Sequence, residues 1–137
     1  GGTIYPGDIV KMDANGQVVQ AAAGTAAACG VALNYATSGG TVLVADSPDQ
    51  LFSAQADDAT IDAQTDLNLN YNITVGTAST LYKRSAMEVD ASTGATDSNL
   101  PIRVLRINPA IDNALGDQVD VVCKINNHQL GDATVGV

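Results

Sequence analysis

From Leu67 to Val75 the chain alternates without a break, with Leu67, Leu69, Tyr71, Ile73 and Val75 on odd positions and Asn68, Asn70, Asn72 and Thr74 on even ones. A period of two is that of a pleated strand, whose successive side chains point to opposite faces; a helix repeats every 3.6 residues. The same parity starts upstream, where Ile61 and Ala63 oppose Asp62, Gln64 and Asp66. Three asparagines have poor strand propensity, but a half-buried pleated face outweighs it. This segment therefore predicts a strand with one dry and one wet face.

The other apolar runs are short and separated by turn residues. Ile9, Val10 and Met12 lead into Asp13-Ala14-Asn15-Gly16, and Val18 and Val19 lead out, a hairpin whose Asn-Gly pair supplies positive backbone angles. Gly30 to Asn34 and Thr41 to Val44 flank the break at Ser38-Gly39-Gly40. Gln50 to Gln55 follows a Ser-Pro-Asp turn and carries the large anchor Phe52. Further strands are predicted near Ser85–Asp90, Ile102–Ile107 and Gln118–Asn126, the last with Val119, Val121, Cys123 and Ile125 on one face. Ala91–Asn99 reads as a mobile loop and Pro109–Leu115 as one helical turn. Eight to ten strands result, with no fixed-period repeat. The expected fold is all-β, a small barrel or compressed β-sandwich of short antiparallel strands with one or two helical turns. Residues 1–6 form an N-terminal arm and 7–137 a single β-domain.

Composition narrows the function. The chain has 137 residues, enough for one self-sufficient domain. Its apolar content includes 21 alanines but only five aromatic residues, so the core is built from small groups and a large aromatic-lined pocket is excluded. Fifteen acids against six bases give a net charge of −9. That argues against nucleic acid as a partner, because phosphate neutralisation needs clustered Lys and Arg. Cys29 and Cys123 each lie in an apolar run and read as free buried thiols, a disulfide between them being the alternative. No signal peptide or membrane span is visible, so no membrane partner is expected; the first residue is Gly rather than Met, which leaves processing open.

No grouping for catalysis, cofactor binding or metal binding emerges. His128 is the sole histidine and has no neighbouring nucleophile motif, so it reads as a surface or interface residue after the last strand. Asp57, Asp58, Asp62 and Asp66 read as a solvated acidic edge, with a weak cation site as the alternative. Glu88 is the lone glutamate, which excludes a paired-glutamate glycosidase, and two distant cysteines with one histidine do not make a zinc site. Two features suit partner binding instead. Asn68, Asn70 and Asn72 form a row of amides on the exposed side of their strand, either simply solvated or bonded to a neighbouring strand, a sugar or a protein surface. Gly2, Thr3, Ile4 and Tyr5 precede Pro6 in an arm that either adds to another chain's sheet edge or pairs within its own domain.

Read in order, Gly7-Asp8-Ile9-Val10, Asp13-Ala14-Asn15-Gly16, Gly30-Val31-Ala32, Gly39-Gly40 and Val42-Leu43-Val44 resemble the opening of the small head decoration (capsid cement) proteins of tailed bacteriophages. The resemblance covers roughly the first third; the ending Val121 to His128 is loosely similar. It implies a non-enzymatic virion protein, made in the bacterial cytoplasm, that binds the outer surface of the assembled head and bridges subunits of the major capsid protein. It also implies a homo-oligomer, trimer before dimer, whose N-terminal arm reaches the capsid lattice. The alternative from a different class is a surface-adhesion or carbohydrate-binding β-module, favoured by the asparagine row and the Thr/Ser/Gly-rich loops and weakened by the scarcity of aromatic residues.

Overall fold

The computed structural model describes residues 2–58 and 60–131. Two antiparallel sheets carry the fold. The first is built from β1 (Ile9–Met12), β2 (Val18–Gln20), β3 (Gly30–Ala32) and β4 (Val44–Ala45), in the order β2-β1-β3-β4. The second comprises β5 (Phe52–Gln55), β6 (Asn70–Thr74), β7 (Glu88–Ala95), β8 (Ile102–Ile107) and β9 (Asp120–Ile125), in the order β5-β9-β8-β6-β7. A single bridge from Ala56 to Val89 brings the two edges of this second sheet together at one point. One bridge is not a ladder, so the fold is sandwich-like and not a closed barrel.

The main core lies between the sheets. Ile9, Ala21 and Ala28 from the first side meet Tyr71, Ile73, Val89, Ile102, Val104, Val121 and Cys123 from the second. Alternation on β9 follows the sequence pattern, with Val119, Val121, Cys123 and Ile125 all buried. Gly30 is needed where β3 passes β4, because a Cβ there would lie 2.4 Å from the carbonyl oxygen of Ala45. Both cysteines are free and buried.

Local structure departs from the sequence reading in four places. The first hairpin closes with Gly16 at φ +73 while Asn15 stays at negative φ. The Gly16 N–H donates to the Asp13 carbonyl, and the Asp13 carboxylate accepts from the amides of Asn15 and Gln17, so an Asp-capped turn replaces the paired positive angles. Those amide bonds, that to Gln17 first, hold the Asp13 carboxyl below its usual range. The helical turn falls at Gln64–Asp66 rather than at Pro109–Leu115, because the Asp66 carboxylate accepts from the Ala63 amide and closes a 3₁₀ turn. Strand β6 is shorter than the alternating run and bulged between Asn70 and Asn72. Finally, β7 takes in most of the stretch expected to be a loop: Ala91 is buried, and Gly94 lies against the Tyr71 ring, where a Cβ would be 2.7 Å from Cε1. Small residues there make room for the largest core side chain.

The last described segment returns to the first sheet. Ala28 and His128 form a parallel bridge, and Gln129 donates its backbone N–H to the Ala28 carbonyl. The Gln129 side chain accepts from the Met12 amide at 2.7 Å and donates to the Met12 carbonyl at 3.1 Å. A side-chain amide has the donor and acceptor of a peptide group, so Gln129 continues the β3 side of the β1 ladder at Met12, beyond the last β1–β3 pair.

Candidate functional site

The outer face of the first sheet is apolar. Val10, Cys29 and Ala32 are buried there with Ile4, and Met12, Val18, Val42 and Val44 pack half-buried around them. A sheet in a two-layer fold ordinarily turns a polar face to water. Among the described residues the outer cover is the N-terminal arm, the 37–42 turn and Leu130. Two adjoining hollows of about 610 and 310 Å³, sharing Val18 and Val42, run across this face. The smaller has an apolar floor of Met12, Val42 and Val44, the exposed Leu43 and Leu130 beside it, and Asp46 at its rim.

The arm is held at the edge of this trough. The amide of Ile4 donates to the Ala36 carbonyl at 2.8 Å, and the Ala36 amide returns the bond at 3.0 Å. Of the four arm residues expected to meet a partner, Gly2 is exposed and Thr3 half-buried, but Ile4 is 5% exposed and belongs to the core. Burying an isoleucine is favourable by about 1.5–3 kcal/mol, which is why the arm pairs with its own sheet. Tyr5 packs its ring against Tyr35, centroids 5.4 Å apart, and its amide donates to the Asp8 carboxylate.

The asparagine row does not form. Asn68 sits outside β6 with φ +67, exposed. Asn70 is 2% exposed; its side-chain amide donates to the Asp97 carbonyl and its oxygen accepts from the Arg103 Nε. The Asn72 oxygen accepts from the amides of Gly24 and Ile73. The bulge between Asn70 and Asn72 breaks the two-residue parity on the even side. Asn70 thus turns inward and serves as a structural bracket.

The aspartates are occupied locally. Asp57 accepts from the Ala91 amide and Asp66 from the amides of Asp62 and Ala63. Asp58 accepts from the Thr60 amide and hydroxyl, and those bonds, the hydroxyl first, lower its carboxyl. Among the described residues no three His, Cys, Asp or Glu side chains converge to hold a metal ion, and no helix is long and apolar enough to cross a membrane. His128 is 5% exposed rather than on the surface, because its segment inserts beside Ala28. Its Nδ1 accepts from the Leu130 amide, and burial lowers its pKa against a smaller opposing effect of Asp46.

Missing from the sequence reading is a knob that adjoins the arm, where the Ser85 amide donates to the Pro6 carbonyl. Ser79 and Arg84 bridge, so the segment between them projects as a tight loop with Leu81 79% and Tyr82 74% exposed. Lys83 takes φ +52 and places its Nζ 4.6 Å above the Tyr35 ring. Four successive residues, Leu-Tyr-Lys-Arg, without alternation, were the available signal. No protein-family model, curated protein or solved structure matches this chain.

Proposed function

We propose that this chain is a docking module that works through binding energy without turnover: a decoration protein on the outer surface of a phage head, bridging subunits of the major capsid protein as a homo-oligomer. One observation carries the reading. Among the described residues an apolar sheet face has no second layer beyond the arm, the 37–42 turn and Leu130, and the arm beside it is an extended segment that pairs through its backbone with Ala36 and buries Ile4. Such a segment can be exchanged for a strand edge presented by a shell, since main-chain pairing is available to any extended partner.

The mechanism is mass action. A cement that binds the assembled lattice and not free subunits stabilises the lattice in proportion to its occupancy, and symmetry-repeated weak contacts add through avidity. The adhesion alternative keeps the Thr/Ser/Gly-rich loops but not the asparagine row, since Asn68, Asn70 and Asn72 share no exposed face. The test is co-sedimentation. The purified chain is expected to pellet with expanded heads and to stay in solution with unassembled capsid protein; binding to neither removes the reading.

A further inference from the structure

We infer that the Leu81–Tyr82 knob of one copy seats in the apolar trough of a second copy, so that the chain self-associates head to tail. One surface projects and the other is hollow, and their charges are opposite. The knob projects two large apolar side chains, 79% and 74% exposed, beside Lys83 and Arg84. The trough is concave, floored by Met12, Val42 and Val44, and rimmed by Asp46. Interface anchors are enriched in Tyr and Arg that fill such hollows.

Charge selects the occupant. Lys83 and Arg84 are two of only six bases, and the remainder of the chain carries fifteen acids against four bases. Among the described residues the Arg84 side chain makes no hydrogen bond or ion pair, so its charge is unspent. An isolated basic tip on an acidic molecule meets its complement on another copy of that molecule, and opposite charge beside an apolar anchor fixes orientation. Knob and trough are different surfaces, so the contact is heterologous, and repetition closes a ring or continues as a filament.

This rests on the self-association half of the reading above; pelleting with heads and association in free solution are separate readouts, so either can fail alone. Sedimentation velocity over a concentration series reads the mass. The wild-type chain is expected to associate, and Leu81→Ser with Tyr82→Ser to weaken association by about tenfold or more. Asp46→Lys, at an exposed rim position, is expected to weaken it several-fold and to be rescued in part by Lys83→Asp with Arg84→Asp on the partner copy. The decisive arm mixes the knob variant, whose trough is intact, with a Leu43→Ser, Leu130→Ser variant, whose knob is intact. Each alone is expected to be monomeric and the mixture to form 1:1 pairs. Circular dichroism verifies that each variant is folded, and Asp46→Lys replaces the leucine pair if that variant is not. A wild-type monomer at every concentration, undiminished association of the knob variant, or no pairing in the mixture overturns the proposal.

Discussion

Substituting Gly94 by alanine adds one methyl group at an exposed position of β7, and the structure makes it expensive. The new Cβ would lie 2.7 Å from Cε1, 2.9 Å from Cζ and 3.0 Å from the hydroxyl oxygen of Tyr71. That ring is 1% exposed and its hydroxyl donates to the Asp66 carbonyl at 2.7 Å, so it is fixed at both ends. Two effects oppose each other. Gly→Ala restricts the unfolded chain, worth about 0.4–1 kcal/mol in favour of the fold. Overpacking costs about 1–3 kcal/mol, and losing the hydroxyl bond adds about 1 kcal/mol. The net expectation is destabilisation by about 1–3 kcal/mol, read from urea unfolding followed by circular dichroism. Tyr71→Phe alone is expected to cost about 1 kcal/mol. Tyr71→Leu removes the obstructing atoms at a cost of about 2 kcal/mol or more. In that background Gly94→Ala should cost almost nothing, giving a coupling energy of at least about 1 kcal/mol. A Gly94→Ala protein as stable as wild type, or strict additivity with Tyr71→Leu, refutes the reasoning.

Gly30→Ala places its Cβ against backbone and is expected to lower stability by about 3 kcal/mol, a fall of roughly 10 °C in the thermal midpoint. Cys123 and Cys29 have their thiols pushed up, Cys123 by burial and Cys29 by burial and then by Asp46. Neither should react with a thiol reagent in the folded protein at neutral pH, and both should react at once in denaturant; rapid native labelling contradicts the packing. Burial lowers the folded-state pKa of His128, so the unfolded chain takes up the proton first as pH falls. Its stability contribution is full above about pH 6.5 and is lost on acidification below it. Urea midpoints at pH 7.5 and 5.5 should therefore differ less in His128→Gln than in wild type. Burial, and then Asp66, push Tyr71 up to about 12, so stability should decline as pH rises from about 10 towards 12, and less so in Tyr71→Phe.

The all-β class and the strands Ile102–Ile107 and Asp120–Ile125 were legible because a buried strand face leaves an apolar residue at every second position. Asn70 was not legible. Parity placed it with the wet face, but a bulge is a backbone event that leaves no mark in alternation, and it turned the amide towards Arg103 and Asp97. Ala91 to Ala95 looked like a loop for a similar reason: its small residues answer to the ring of Tyr71, more than 20 positions away. The burial of Ile4 was half visible, since arm pairing within the domain was one of two outcomes weighed. The knob escaped because Lys83 and Arg84 were weighed only against phosphate, and protein docking needs far fewer charges when apolar anchors accompany them.

The amide of Gln129 that completes β1 has a consequence for biosynthesis. The first sheet borrows a side chain 117 positions downstream, and β5 waits for β9, so a nascent chain emerging in order holds its opening strands unfinished until residue 129 has been made. Loop closure over that span is slow compared with local pairing. Maturation of this domain should therefore wait for Gln129 to emerge, and a stop codon before Gln129 should leave a polypeptide that is captured by chaperones rather than one that merely lacks a tail.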